Sequence, residues 1–152
     1  MISNWSNLEK NEPSTYYRLT NHTADCGIEV WGDNPISLFE NAGYALFDLM
    51  TDIAVVTPVN EYAVHVSGMD MEDLMVSWLR ELLDFWTCRE TLICDIHVVE
   101  LSERHVSARI RGEIYHPQIH SLRHDIKAVT YHQIQVMQTP AGKWRTSVVF
   151  DV

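Results

Sequence analysis

The sequence predicts an α+β fold in which two helices pack on a largely antiparallel sheet, and three observations carry that prediction. Two stretches repeat apolar residues at helical spacing behind a capping side chain, several others alternate apolar with polar residues, and no Gly/Ser-rich linker follows Pro13.

The first elements are extended. Tyr16-Tyr17-Arg18-Leu19 and Ile28-Glu29-Val30-Trp31 read as two short strands, separated by polar Asn21-His22-Thr23-Ala24-Asp25 and by Gly27. Asn34 then caps a helix with Pro35 in its first turn, where the missing N–H costs nothing. Leu38, Ala42, Ala45 and Leu49 give that helix a core face, with Phe39 and Leu46 beside it. Tyr62, Val64 and Val66 alternate as a half-buried strand. A second helix starts at Asp70, with Asp73 three residues on. Its stripe of Leu74, Trp78, Leu82 and Phe85, flanked by Met75, Leu79 and Trp86, reads as core and not as a cofactor box. Val106, Ala108, Ile110 and Ile114 then alternate with His105, Ser107, Arg109, Arg111 and Glu113, the pattern of an antiparallel sheet with one wet face. Trp144, Thr146, Val148 and Phe150 repeat the alternation just before Asp151 and Val152.

A chain of 152 residues, 46% hydrophobic and 21% charged, is long enough to bury a core without disulfides or structural metal. Residues 1–15 form a polar leader, expected to be mobile, and 16–152 a single domain. No stretch has the apolar length of a signal peptide core or a membrane span. Cys26, Cys88 and Cys94 are odd in number and far apart, which fits free buried thiols in a reducing cytoplasm. The net charge of −10 repels phosphate backbones, so tight direct nucleic-acid binding is not expected, whereas a basic protein partner would be attracted.

Several chemistries lose support on motif grounds. Phosphate-binding glycine loops and the Gly-x-Ser-x-Gly elbow are missing. His116, His120 and His124 recur every four residues, but Pro117 and the flanking strands argue against a helix, so they read as loop histidines and not as a metal site. A thiol mechanism through Cys26 beside His22 has no specific spacing, and a packed Cys26 is the simpler reading. Asp25, in the break between the first two strands, and Asp151, at the chain end beside the Val152 carboxylate, converge if the first and last strands are neighbours. Each close pair of like charges then costs on the order of 4 kcal/mol at an effective dielectric of about 20, and a cation or proton must offset it. Oxygen ligands select calcium, magnesium or manganese. The plain alternative is a solvated Asp25 and a frayed carboxyl end.

Four motifs in order extend this reading. They are Asn21-His22-Thr23-Ala24-Asp25-Cys26-Gly27-Ile28; Asp70-Met71-Glu72-Asp73-Leu74 leading to Trp78-Leu79-Arg80-Glu81-Leu82-Leu83; Ile126-Lys127-Ala128-Val129-Thr130-Tyr131-His132; and Phe150-Asp151-Val152. Together the chain resembles the archease family over nearly all its length beyond the leader. It departs from the family pattern at Asn21, where Asp is usual, and at Val152, where Ile is frequent. The resemblance implies related strand-helix-strand-strand modules in one domain. It also implies an accessory protein that activates a GTP-dependent RNA-splicing ligase, which joins 2′,3′-cyclic phosphate or 3′-phosphate ends to 5′-hydroxyl ends. Such proteins promote guanylylation of the ligase histidine and multiple turnover in tRNA splicing and RNA repair. The family's metal-binding positions map onto Asp25, Asp151 and Val152, and its functional lysine onto Lys127, which on the sequence alone reads as a surface strand lysine. Two other classes compete: a self-sufficient metal-dependent hydrolase or nucleotidyl enzyme using the same carboxylates, and a general chaperone of nucleic-acid-processing proteins.

Overall fold

The computed structural model describes residues 16–20 and 26–152. The leader 1–15 and the break that contains Asp25 lie outside the described residues. In chain order the elements are β1 (Tyr17–Thr20), β2 (Cys26–Gly32), α1 (Pro35–Met50), β3 (Asn60–Ser67), α2 (Met71–Arg89), β4 (Thr91–Leu101), β5 (His105–Ile114), β6 (Ala128–Gln138) and β7 (Trp144–Asp151). A single 3-10 turn, Ile53–Val55, joins α1 to β3.

The α+β prediction holds, with one difference in layering. Every strand pairing among the described residues is antiparallel, but the strands divide into a four-stranded sheet ordered β1-β2-β7-β6 and a three-stranded sheet ordered β3-β5-β4. The helices lie between them: α1 packs on β4 on one side and β2 on the other, and α2 packs on β6 and on the three-stranded sheet. The layering explains why α1 is buried almost all round, including Glu40 and Asn41, and not along a single stripe. Two modules are visible. β3-α2-β4-β5 sits between α1 and β6 of the other module, β2-α1-β6-β7, and both arrange their strands in the order first, third, second.

Both helix starts obey their local chemistry. Asn34 accepts the Ser37 N–H at 2.8 Å while the Ser37 hydroxyl accepts the Asn34 N–H at 3.1 Å, a complete capping box. Asp70 accepts the Asp73 N–H at 2.8 Å. Trp78 is fully buried, as its place in the stripe predicts, and its indole N–H donates to the Phe39 carbonyl at 2.9 Å, tying the two helices together. That bond lets a large ring enter the core without an orphaned donor.

The segment between β5 and β6 is non-helical, as Pro117 implies, and His120 anchors it. His120 is buried, meets Glu113 Oε2 at 2.9 Å and accepts the His116 N–H on Nδ1 at 2.8 Å. Nδ1 is therefore the unprotonated nitrogen and Nε2 the donor. Thr51 Oγ1 donates to the Ser121 carbonyl at 2.7 Å and the Arg123 N–H to the Met50 carbonyl at 2.8 Å, fastening the same segment to the end of α1.

Candidate functional site

The described parts of the four motifs meet at one end of the four-stranded sheet. β2 and β7 pair so that Cys26 opposes Phe150, and β6 pairs with β7 so that Ala128 opposes Asp151. One residue further, the Lys127 N–H donates to the Asp151 carbonyl at 2.8 Å, and continuing that register sets Lys127 opposite Val152. Lys127 therefore sits at the lip of β6, just before its first residue and not inside the strand. Lys127, Asp151 and Val152 are all exposed. Neither the Lys127 ammonium nor the Asp151 carboxylate has an ion-pair or hydrogen-bonding partner for its side chain among the described residues. Asp25 lies outside the described residues, one peptide bond before Cys26. Three of the four expected site residues, Lys127, Asp151 and Val152, are thus set on adjoining strand ends, and the fourth, Asp25, lies outside the described residues.

The second motif braces the third. Arg80 on α2 donates through Nε to the Val129 carbonyl at 3.1 Å and lies 4.7 Å from the centre of the Tyr131 ring, a cation–π contact. Tyr131 in turn donates its hydroxyl to Asp73 at 2.6 Å. That hydroxyl, and then the Met69 N–H, hold the Asp73 carboxyl below its ordinary range, while the same bond pushes the Tyr131 phenol up. Just beyond, β6 bulges. Between the Thr130–Val149 and Gln135–Ser147 pairs it holds Tyr131, His132, Gln133 and Ile134 where β7 holds only Val148. Gln133 takes a left-handed conformation with φ of 54°, uncommon for a residue with a side chain. The bulge re-aims Tyr131 toward the start of α2. Sequence reading named Lys127 but missed this brace, because Asp73 and Tyr131 are 58 positions apart and only the fold joins them.

The thiols separate into three environments. Cys88 is exposed, correcting the expectation that all three are buried, because it lies near the end of α2 on its solvent side; Cys94 is buried and Cys26 half-buried. Burial pushes the Cys26 thiol up and that of Cys94 to about 11, which works against a nucleophilic role for either. Among the described residues no three His, Cys, Asp or Glu side chains lie close enough to form a metal cluster, and no helix is long and apolar enough to cross a membrane.

Comparison with known proteins places this geometry in a family. The model of the archease protein family (MTH1598/TM1083) matches residues 17–152. Protein archease of Methanosarcina mazei is 35% identical over 140 residues, covering 90% of this chain and 95% of that protein. The archease of Methanopyrus kandleri is 37% identical over 134 residues, covering 86% and 95%. The solution structure of Methanobacterium thermoautotrophicum protein 1598 superposes with a TM-score of 0.74 at 28% identity, over 90% of this chain and 98% of that one. This chain belongs to the archease family.

Proposed function

We propose that this protein is an accessory factor, not itself an enzyme, that activates a GTP-dependent RNA-splicing ligase in the cytoplasm. The ligase joins 2′,3′-cyclic phosphate or 3′-phosphate ends to 5′-hydroxyl ends. It guanylylates its own histidine, and this chain promotes that step and repeated turnover in tRNA splicing or RNA repair. The observation that carries the reading is the Lys127–Asp151 backbone bond, which sets an exposed cation and an exposed carboxylate on adjoining strand ends with no side-chain partner among the described residues.

In this reading Asp25, Asp151 and the Val152 carboxylate hold a divalent ion, calcium, magnesium or manganese. The donor set fits: the exposed Asp151 carboxylate is unpartnered among the described residues, and oxygen-only donors favour hard cations over zinc. Such an ion supplies positive charge for phosphate or carboxylate oxygens of the partner. Lys127 supplies a second, flexible cation for the same purpose. The Arg80–Tyr131–Asp73 brace fixes the strand from which Lys127 departs. The formal charge of −10 works against direct RNA capture, so recognition of RNA stays with the ligase.

A ligation assay with the partner ligase tests the proposal. Substoichiometric protein is expected to sustain multiple turnover, and Asp25→Ala, Asp151→Ala and Lys127→Ala to lose that effect while melting like the parent. Full activation by all three variants overturns the site. GTP consumption by the isolated chain favours a self-sufficient enzyme instead, and reduced aggregation of unrelated clients favours a general chaperone.

A further inference from the structure

The outer face of the three-stranded sheet carries a histidine pair that the proposed function does not use. His65 on β3 is registered opposite Ser107 on β5, and His105 opposite Ser67. His65 Nδ1 lies 3.0 Å and His105 Nε2 2.8 Å from the same atom, Ser107 Oγ. The two rings are nearly parallel, 13° apart in plane with centroids 6.3 Å apart. Among the described residues neither imidazole forms an ion pair with a carboxylate. Two ring nitrogens on adjacent strands are thus aimed at one point, where only a hydroxyl stands between them.

One hydroxyl proton can serve one of these nitrogens, and the other must then donate its own N–H to the oxygen. In either arrangement both rings hold the same tautomer, Nε2–H when the hydroxyl donates to His65 and Nδ1–H when it donates to His105, and in each case one ring aims an N–H at the oxygen. Tautomer exchange in the donating ring alone leaves His65 Nδ1 and His105 Nε2 each with a lone pair directed at the same place. A zinc–imidazole bond is about 2.0–2.1 Å, so each ring need move by less than about 1 Å to hold an ion where Ser107 Oγ now lies. The serine side chain can rotate aside, and solvent completes the coordination because the face is open. Neutral imidazole suits zinc, nickel and copper, whereas calcium and magnesium prefer oxygen donors.

We propose that His65 and His105, converging on Ser107, form a binding site for an imidazole-preferring divalent transition-metal ion, chemically separate from the oxygen donors around Asp151. The site rests on strand register and not on a loop, so its ligands are already placed before an ion arrives. Binding requires unprotonated imidazoles and weakens in acid.

Zinc is the probe. Calorimetric titration of the full chain with Zn²⁺, in excess Mg²⁺ to occupy oxygen donors, is expected to give one equivalent of micromolar affinity. His65→Ala and His105→Ala should each weaken it by at least about tenfold, and the double variant should abolish that equivalent. Ser107→Ala should bind at least as tightly as the parent, because it removes a competitor for the lone pairs. His97→Ala, on the same sheet but outside the pair, should leave the affinity unchanged. In proton NMR the ring signals of His65 and His105 should shift first on addition of zinc, a readout that does not depend on any substitution folding. No zinc binding in the parent, or undiminished binding in the double variant, overturns the proposal.

Discussion

In the three-stranded sheet the half-buried carboxylates Asp95 and Glu113 meet partners within the chain, while exposed Arg109 and Glu100 have none among the described residues. Arg111 holds Asp95 at 2.6 Å, and Glu113 accepts both the Thr57 N–H and the His120 ring. The middle of the four-stranded sheet behaves in the same way, with Glu29 held between Arg18 and Arg145. At the far end of that sheet the pattern stops: Lys127 and Asp151 share a backbone bond, yet their side chains have no ionic partner among the described residues. Exposed ion pairs contribute only about 0–1 kcal/mol each, so the contrast has little bearing on stability. It leaves a cation and a carboxylate side by side on adjoining strand ends, the pair on which the proposed function rests. The strands differ too: β4 carries register shifts at Ile93/Asp95 and Val98/Glu100, while β6 accommodates four residues opposite one and turns Tyr131 onto α2.

If one region secures the fold and the other the function, substitutions should separate along that line. The largest effect on stability is expected at Gly112 on β5, where an added Cβ falls 1.9 Å from the Leu92 carbonyl oxygen. Gly112→Ala must push β4 aside, at a cost of about 1–3 kcal/mol or more. For a domain of this size each kcal/mol lowers the melting midpoint by about 2–4 °C. Next is His120→Ala, which strands the His116 N–H and takes a buried partner from Glu113, at about 1–3 kcal/mol in denaturant unfolding.

A smaller effect, opposite in sign, is expected at Glu40 on α1. Burial raises its carboxyl above the ordinary value, against the Val98 N–H that favours the charged form. A group raised in the folded state contributes stability that is present below its unfolded value of 4.5 and lost as pH rises through its folded value. Glu40→Gln keeps an acceptor for Val98, so relative to the parent it should gain stability as pH climbs from 4.5 through the folded value and level off above it. A parent that gains on the variant over the same range contradicts the assignment. Glu113 behaves oppositely: the Thr57 N–H, and then His120, hold its carboxyl low. Its contribution is present above 4.5 and disappears as pH falls through the folded value. The smallest change in melting is expected from Tyr131→Phe, whose ring keeps the Arg80 contact while its bond to Asp73 is lost.

How much of this was readable before folding depended on how local the signal was. Both helix starts, the Trp78 stripe and the alternation of β3, β5 and β7 follow from side chains a few positions apart. β4 did not stand out, because its register shifts beside Cys94 and Val99 break the period of two that identifies a strand. The division into two sheets was hidden as well, since periodicity tells which face of a strand is buried and not which partner lies beside it. At the site, Asp151 and Val152 were singled out by their place at the chain end and Lys127 through the family motif, and register then brought the three together. The Tyr131–Asp73 brace and the His65–His105 pair depend on cross-element geometry that spacing along one chain does not encode.

The central claim is that the unpartnered end of the four-stranded sheet holds a divalent ion, and a Mn²⁺ or Ca²⁺ titration tests it most directly. Four proteins are compared: the parent, Asp151→Asn, a chain extended beyond Val152 and a chain extended before Met1. Asp151→Asn and the extension beyond Val152 each neutralise one proposed anionic ligand, so affinity should drop by at least about tenfold in both while melting is unchanged. The extension before Met1 should bind like the parent. Equal affinity in all four proteins would contradict the claim and return Asp151 and Val152 to the role of a solvated strand end.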